Sequence, residues 1–292
     1  MKQTGIKLMD NFSEQIMAIA RENLRDLEGT FAVPPFNGEG FPSHLNRMLF
    51  FDIGGDLTGI ARLSPSGKTF YLSLTYLQLL WMLNYAFMSI YHAVAESDGI
   101  DQKVQQAARR SSRITHMASE LRERKFSEKE FASLAALCPL NDSLGKKLIG
   151  VFQAGIDFLI LFEYAWKGCF HQSDRGKTAD RLAMTALYEG CTEDCQTTAA
   201  TGIVCVIVSM FILSGSLKFN DTIPDGDDRL FMLMELIDEE HRNFLLPLVN
   251  IYLNAWAKQK GIAGFPFNAD LESVKSFMQA YKSCPINPGV PS

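Results

Sequence analysis

The chain has 292 residues, 47% of them hydrophobic and 21% charged, enough apolar material for one large core or two modest ones, which excludes collagen-like, low-complexity and disordered chains. The 28 Lys and Arg against 33 Asp and Glu leave a formal charge of -5, so there is no global attraction to phosphate backbones and nucleic acid is not expected as a partner. Six cysteines at irregular spacing do not make a disulfide scaffold, and no basic, apolar, small-residue leader opens the chain, so a reducing cytoplasm is the expected compartment.

Apolar residues at helical spacing between Ile6 and Leu27 predict an amphipathic first helix, which Pro34, Pro35, Gly38, Gly40 and Pro42 end. Two apolar runs, 48–53 and 69–74, flank the turn Ser64-Pro65-Ser66-Gly67 and predict a small antiparallel β hairpin or meander. Asp52-Ile-Gly-Gly-Asp56 reads as a turn between strands. Helices are predicted over 75–96, 100–124, 128–138 with a Ser127…Glu130 capping box, 142–171, 176–190, 193–215, 227–259 with a kink at Pro247, and 269–283. The fold class is therefore mainly α (α+β). Residues 1–45 form an N-terminal helix and Pro/Gly-rich segment, 46–284 one mainly helical domain, and 285–292 a loose tail.

Helix 101–125 is the most basic segment, with Lys103, Arg109, Arg110, Arg113, Arg122, Arg124 and Lys125. It reads as a solvated face offset by Glu120 and Glu123, with an acidic partner or a membrane surface as the alternative. Residues 69–95 and 197–217 carry no charge. The core of the latter, 199–213, falls short of the ~20 apolar residues that span a bilayer, and the mean hydropathy of the chain is +0.00. It is expected to be a central buried helix, with peripheral membrane contact as the alternative.

Only five histidines are available for imidazole chemistry: His44, His92, His116, His171 and His241. The most informative stretch is Leu159 to His171 followed by Lys177 to Ala183. In zinc peptidases H-E-x-x-H puts two imidazoles on one helix face with a glutamate general base between them. Here the same five positions are Phe162, Glu163, Tyr164, Ala165 and Trp166, and only the glutamate remains. Downstream, His171, Ala179-Asp180 with Ala183, and Thr222-Ile223-Pro224 with Arg229 follow in the order of a spaced third histidine, an A-D-x-x-A helix and a T-H-P-x(4)-R element.

This order resembles the gluzincin-type metallopeptidases, and the length of chain before the motif makes it most similar to the phage-exclusion (Lit-type) peptidases. The resemblance implies a zincin-like helical domain and assigns Phe162 and Trp166 to two histidine ligand positions, Gly176 to the glutamate ligand and Ile223 to an active-site histidine. Neither a phenyl ring nor an indole offers a lone pair to zinc, so the family's cofactor is not expected here and Glu163 is a silent remnant of the general base. Positions 162 and 166 lie about 40° apart on a helix and 171 about 180° from 162, so a continuous helix turns His171 away. Asp180 shares a face with Gly176, and Arg229 is placed to neutralise Glu163 or Asp180. The same residues also read plainly as the stripe of a buried helix.

The expected function is that of a catalytically inactive metallopeptidase-like protein that binds a protein or peptide. Active members of the family grip an extended substrate along an edge strand beside the motif helix, so residues 48–74 are expected to offer such an edge near Glu163 and Trp166. A regulatory or phage-defence role follows from the resemblance alone. The alternatives are a peptidase with Glu163, Asp180 and His171 rearranged around a metal, and a membrane-peripheral helical protein. Asp238-Glu239-Glu240-His241 reads as a charged helix face, since a di-iron site needs a second such pair. Cys191, Cys195 and Cys169 read as free thiols, and nucleotide or nucleophile motifs do not occur.

Overall fold

The computed structural model of the protein describes residues 12–22, 27, 48–52, 61–66, 69–96, 102–122, 128–169, 171, 173–214, 224–264 and 266–283. It is mainly helical. Helix α1 covers residues 12–22, followed by strands β1 (Met48–Asp52), β2 (Ala61–Leu63) and β3 (Thr69–Ser73). Then come α2 (Leu74–Ala95), α3 (Gln102–Arg122), α4 (Glu128–Ala135), α5 (Ser143–Gly168) and α6 (Arg175–Met184), which runs into a π-helical turn at Thr185–Glu189. Helices α7 (Glu193–Ser214), α8 (Gly226–Leu236), α9 (Glu239–Gln259) and α10 (Leu271–Ser283) complete it.

The small sheet has the order β1-β3-β2. The antiparallel hairpin is there, but its partners are β2 and β3, joined by the expected Ser64-Pro65 turn, in which Ser64 N–H donates to Thr69 O at 2.8 Å and Ser64 Oγ accepts from Thr69 N at 3.0 Å. The two apolar runs are also neighbours, yet β1 runs parallel to β3, with Met48 opposite Thr69 and Asp52 opposite Ser73. Three residues are too few for β2 to register as an alternating pattern, although its Ala61 and Leu63 are buried and Arg62 is exposed over the ring of its cross-strand partner Tyr71. Ile223, Ser127, residues 53–56 and the tail 285–292 lie outside the described residues.

Strand β3 passes directly into α2 because Ser73 is both its last residue and the helix cap, its Oγ accepting from Tyr76 N at 3.2 Å. Every residue from Tyr76 to Met88 is buried. A helix apolar on all sides has to lie at the centre of a bundle. It packs on α5 through Trp81, whose ring meets Phe152 edge-on at 5.4 Å and whose Nε1 donates to Cys138 O at 2.9 Å. On α9, Tyr252 OH donates to Asn84 Oδ1 at 2.7 Å.

Helices α5 and α7 are both long and apolar enough to cross a membrane, and 67% and 83% of their most apolar stretches are buried inside the fold. They cross where Gly155 faces Gly202. A Cβ on Gly202 would stand 2.5 Å from Val151 O and 2.8 Å from Gly155 N, and one on Gly155 would meet Val206 Cγ2 at 2.7 Å. The two backbones touch there because neither position carries a side chain.

The span expected as one helix kinked at Pro247 is two helices, broken at Ile237 and Asp238, whose ψ angles of 136° and 147° are extended. Pro247 sits inside α9. Overpacking a tight core contact costs about 1–3 kcal/mol. Gly202→Ala, which clashes with two backbone atoms of α5, is expected to lose about 2–3 kcal/mol in urea unfolding, whereas Gly261→Ala, with open space around a φ of 66°, is expected to lose about 1 kcal/mol.

Candidate functional site

The C-terminal half of α5 carries a ladder of rings one turn apart. Phe158 stacks on Phe162 at 6.5 Å and 30°, and Phe162 on Trp166 at 6.0 Å and 27°. Each of the last two rings also carries a guanidinium group. Arg229, from α8, lies over Phe162 at 4.6 Å, and Arg175, the first residue of α6, lies over Trp166 at 4.0 Å while its Nε donates to Trp166 O. A cation over an aromatic face is attracted by the ring quadrupole. The two positions that the resemblance gives to imidazole ligands therefore hold ring faces already engaged by cations.

Arg229 is anchored by Asp180. Its Nε and Nη2 donate to Asp180 Oδ2 and Oδ1 at 2.8 and 2.6 Å, and its Nη1 faces Met210 Sδ at 3.8 Å. Both residues are buried, at 0% and 2% exposure. Burial pushes the Asp180 carboxyl up and the guanidinium pulls it back. The two short parallel bonds are those of an ionised pair. Asp180 shares the buried face of α6 with Gly176, as expected, and of the two carboxylates proposed as partners of Arg229 it is Asp180 that takes it.

Glu163 points the other way, to the sheet. The N–H of Leu63 donates to its carboxylate. In the β2–β3 ladder Ser64 N–H bonds to Thr69, so the N–H of the preceding residue faces away from β3. One turn later Lys167 Nζ donates to Ser64 O. The α5 helix thus reaches β2 and the turn that follows it with its own side chains. The expected edge for a peptide beside Glu163 therefore has the Leu63 N–H directed at that carboxylate. Burial pushes the Glu163 carboxyl up to about 7, against the pull of the Leu63 N–H, Arg175, Lys167 and Arg229.

Helix α5 ends at Gly168, where Cys169 N–H closes the last turn on Ala165 O at 2.9 Å. His171 is an exposed turn residue beyond that end, so the angular argument from a continuous helix does not apply to it. His171 is exposed, while the half-buried Glu163 carboxylate faces the Leu63 N–H and the buried Asp180 carboxylate is taken by Arg229. The residues in the assigned positions do not fit a zinc ion: Phe162, Trp166 and Gly176 supply no lone pair, and both oxygens of Asp180 are spent on Arg229.

Sequence reading missed a second polar cluster. Tyr188 OH donates to Asp238 Oδ2 at 2.9 Å, lies 2.8 Å from His241 Nδ1 and receives Asp238 N–H at 3.3 Å. The π-helical turn places Tyr188, and π turns often mark such adjustments. Asp238 and His241 lie about 50 residues away along the chain, so no local pattern announces the cluster. Among the described residues one group of metal-type donors gathers, Asp225, Asp227 and Asp228, and Lys282 lies 3.1, 2.8 and 3.5 Å from them. The Cys191, Cys195 and Cys169 thiols are free and form no such group among the described residues. No known protein family, curated protein or solved structure matches this chain.

Removing one partner of a buried ion pair leaves an uncompensated charge. Asp180→Leu is expected to cost about 3–5 kcal/mol, and the double replacement Asp180→Leu with Arg229→Met to recover most of it, read by denaturant unfolding of the three variants.

A carboxyl whose folded value lies above its unfolded one binds more protons folded than unfolded, so its contribution is present at low pH and is lost as pH rises from about 4.5 through about 7. Glu163→Gln, which mimics the protonated state, is expected to flatten that fall and to raise stability at pH 8 by on the order of 2 kcal/mol. Unfolding curves across pH 5–8 check it, and an unchanged slope would contradict the assignment.

Proposed function

We propose that this chain is a catalytically silent relative of the gluzincin peptidases that acts by binding a protein or peptide. The observation that carries the reading is the pair of guanidinium groups over Phe162 and Trp166, one of them fixed by Asp180. Where an active relative needs metal donors, this chain supports cations with ring faces and a carboxylate, an arrangement stable without an ion. With the β2 edge bonded to Glu163, the outer edge of β1 is the strand proposed to receive an extended peptide, since β1 pairs only with β3 among the described residues. A cytoplasmic site of action is supported by the free thiols of Cys138, Cys169, Cys191, Cys195 and Cys205. A regulatory or phage-defence role is part of the proposal through the resemblance.

Elemental analysis of the purified protein is expected to find no stoichiometric zinc, and casein hydrolysis to be absent with or without added zinc. Chelator-sensitive hydrolysis that Glu163→Gln abolishes would overturn the reading in favour of a rearranged peptidase. The peptide mode is read by hydrogen exchange against a library of extended peptides. Bound peptide is expected to slow exchange in Met48–Asp52, and protection confined to other elements would overturn it.

A further inference from the structure

The basic helix α3 has a use that the remnant site does not absorb. Lys103 and Arg110 of α3, Lys147 of α5 and His92 of α2 line one cleft of about 310 Å3, within the size range of small-ligand pockets. Two helices, α3 and α5, thus bring three cationic side chains to one place in a chain whose overall charge is negative, with the His92 imidazole of α2 beside them. Among the described residues none of Lys103, Arg110 and Lys147 has a carboxylate within ion-pair distance.

Two acids lie nearby, fewer than the three cations. Glu96 also lines the cleft and is exposed. Asp142, at the head of α5, has both oxygens engaged, one by the Tyr85 hydroxyl and the other by Gly145 N–H at 2.6 Å. Arg110 is held in place before any ligand arrives: its guanidinium lies over the Tyr85 ring at 5.4 Å and its Nη1 donates to Ser89 Oγ at 3.4 Å. A contact oriented in advance loses less freedom on binding.

We propose that this cleft binds a phosphate-bearing small molecule, with Arg110 as the fixed contact and Lys103 and Lys147 closing on the phosphate from opposite helices. A planar guanidinium fork with two mobile ammonium groups suits the several oxygens and the double charge of a phosphate monoester. Ser143 and Leu144, in the first turn of α5, line the same cleft at the positive end of that helix. This inference is independent of the reading of the remnant site. The phosphate has two sources, a soluble phosphorylated metabolite or a lipid with a phosphomonoester headgroup.

The test titrates the full chain with inorganic pyrophosphate by calorimetry and measures co-sedimentation with vesicles of phosphatidylcholine containing phosphatidic acid. Both are repeated for Lys103→Gln with Lys147→Gln, two exposed positions whose change leaves the core intact, and for Arg110→Gln, with circular dichroism confirming the fold. Saturable binding that weakens at least about tenfold in the double variant, and falls as salt is raised, is the expected result. Binding of pyrophosphate alone assigns a soluble ligand, and binding of the vesicles alone assigns the headgroup. Absence of saturable binding to either probe, or equal affinity in wild type and double variant, an adventitious ion only, overturns the proposal.

Discussion

The approach of α5 to α7 at Gly155 and Gly202 sets the distances on which the rest of the bundle depends. Backbone lies against backbone at that crossing, and both helices are buried over most of their apolar length. Helix α5 then presents three directions at once. One face meets α2 through Phe152 and Trp81, the next carries the Phe158–Phe162–Trp166 ladder to α6 and α8, and a third sends Glu163 and Lys167 to the sheet. A side chain at either glycine would push these surfaces apart together.

Charge is placed inside this core in a compensated form. Arg229 sits there with two of its donors on Asp180 and with Phe162 and Met210 against its guanidinium. Such a pair contributes less to stability than its short distances suggest, since removing both ions from water is costly. What it contributes is position: α6 and α8 meet at one register, and an unpaired alternative is heavily penalised. The same logic governs Glu163, which keeps a carboxylate beside an edge strand by accepting its N–H and is still pushed upward by burial.

The ring ladder was legible as a helical stripe because i, i+4 spacing is local, and so were the pairing of Gly176 with Asp180 on one face and the placing of α7 as a core helix. The partner of Arg229 was legible only to within two carboxylates. Arg175 on Trp166, the Leu63 N–H on Glu163 and the Tyr188–Asp238–His241 cluster join segments that share no local pattern. The break at Ile237–Asp238 belongs with them: Asp238 gives its N–H and its carboxylate to Tyr188 rather than to a helix, so a tertiary contact ends α8 where the periodicity alone continues.

Composition, periodicity and turn chemistry by themselves determined that this is a mainly helical protein with a small sheet near 48–74, and side-chain chemistry that Phe162, Trp166 and Gly176 carry no side-chain donor for a metal. These follow from properties each residue carries wherever it is placed: a side chain's lone pairs, its backbone preference and its spacing from its neighbours. Only the tertiary structure decided that β1 joins β3 in parallel, that the Leu63 N–H of β2 is directed at Glu163 and that Arg110 meets Lys103 and Lys147 across one cleft. Strand direction, that contact and the convergence of cations depend on which distant segments are brought together, and a crossing as close as Gly155 on Gly202 makes that choice for the whole bundle.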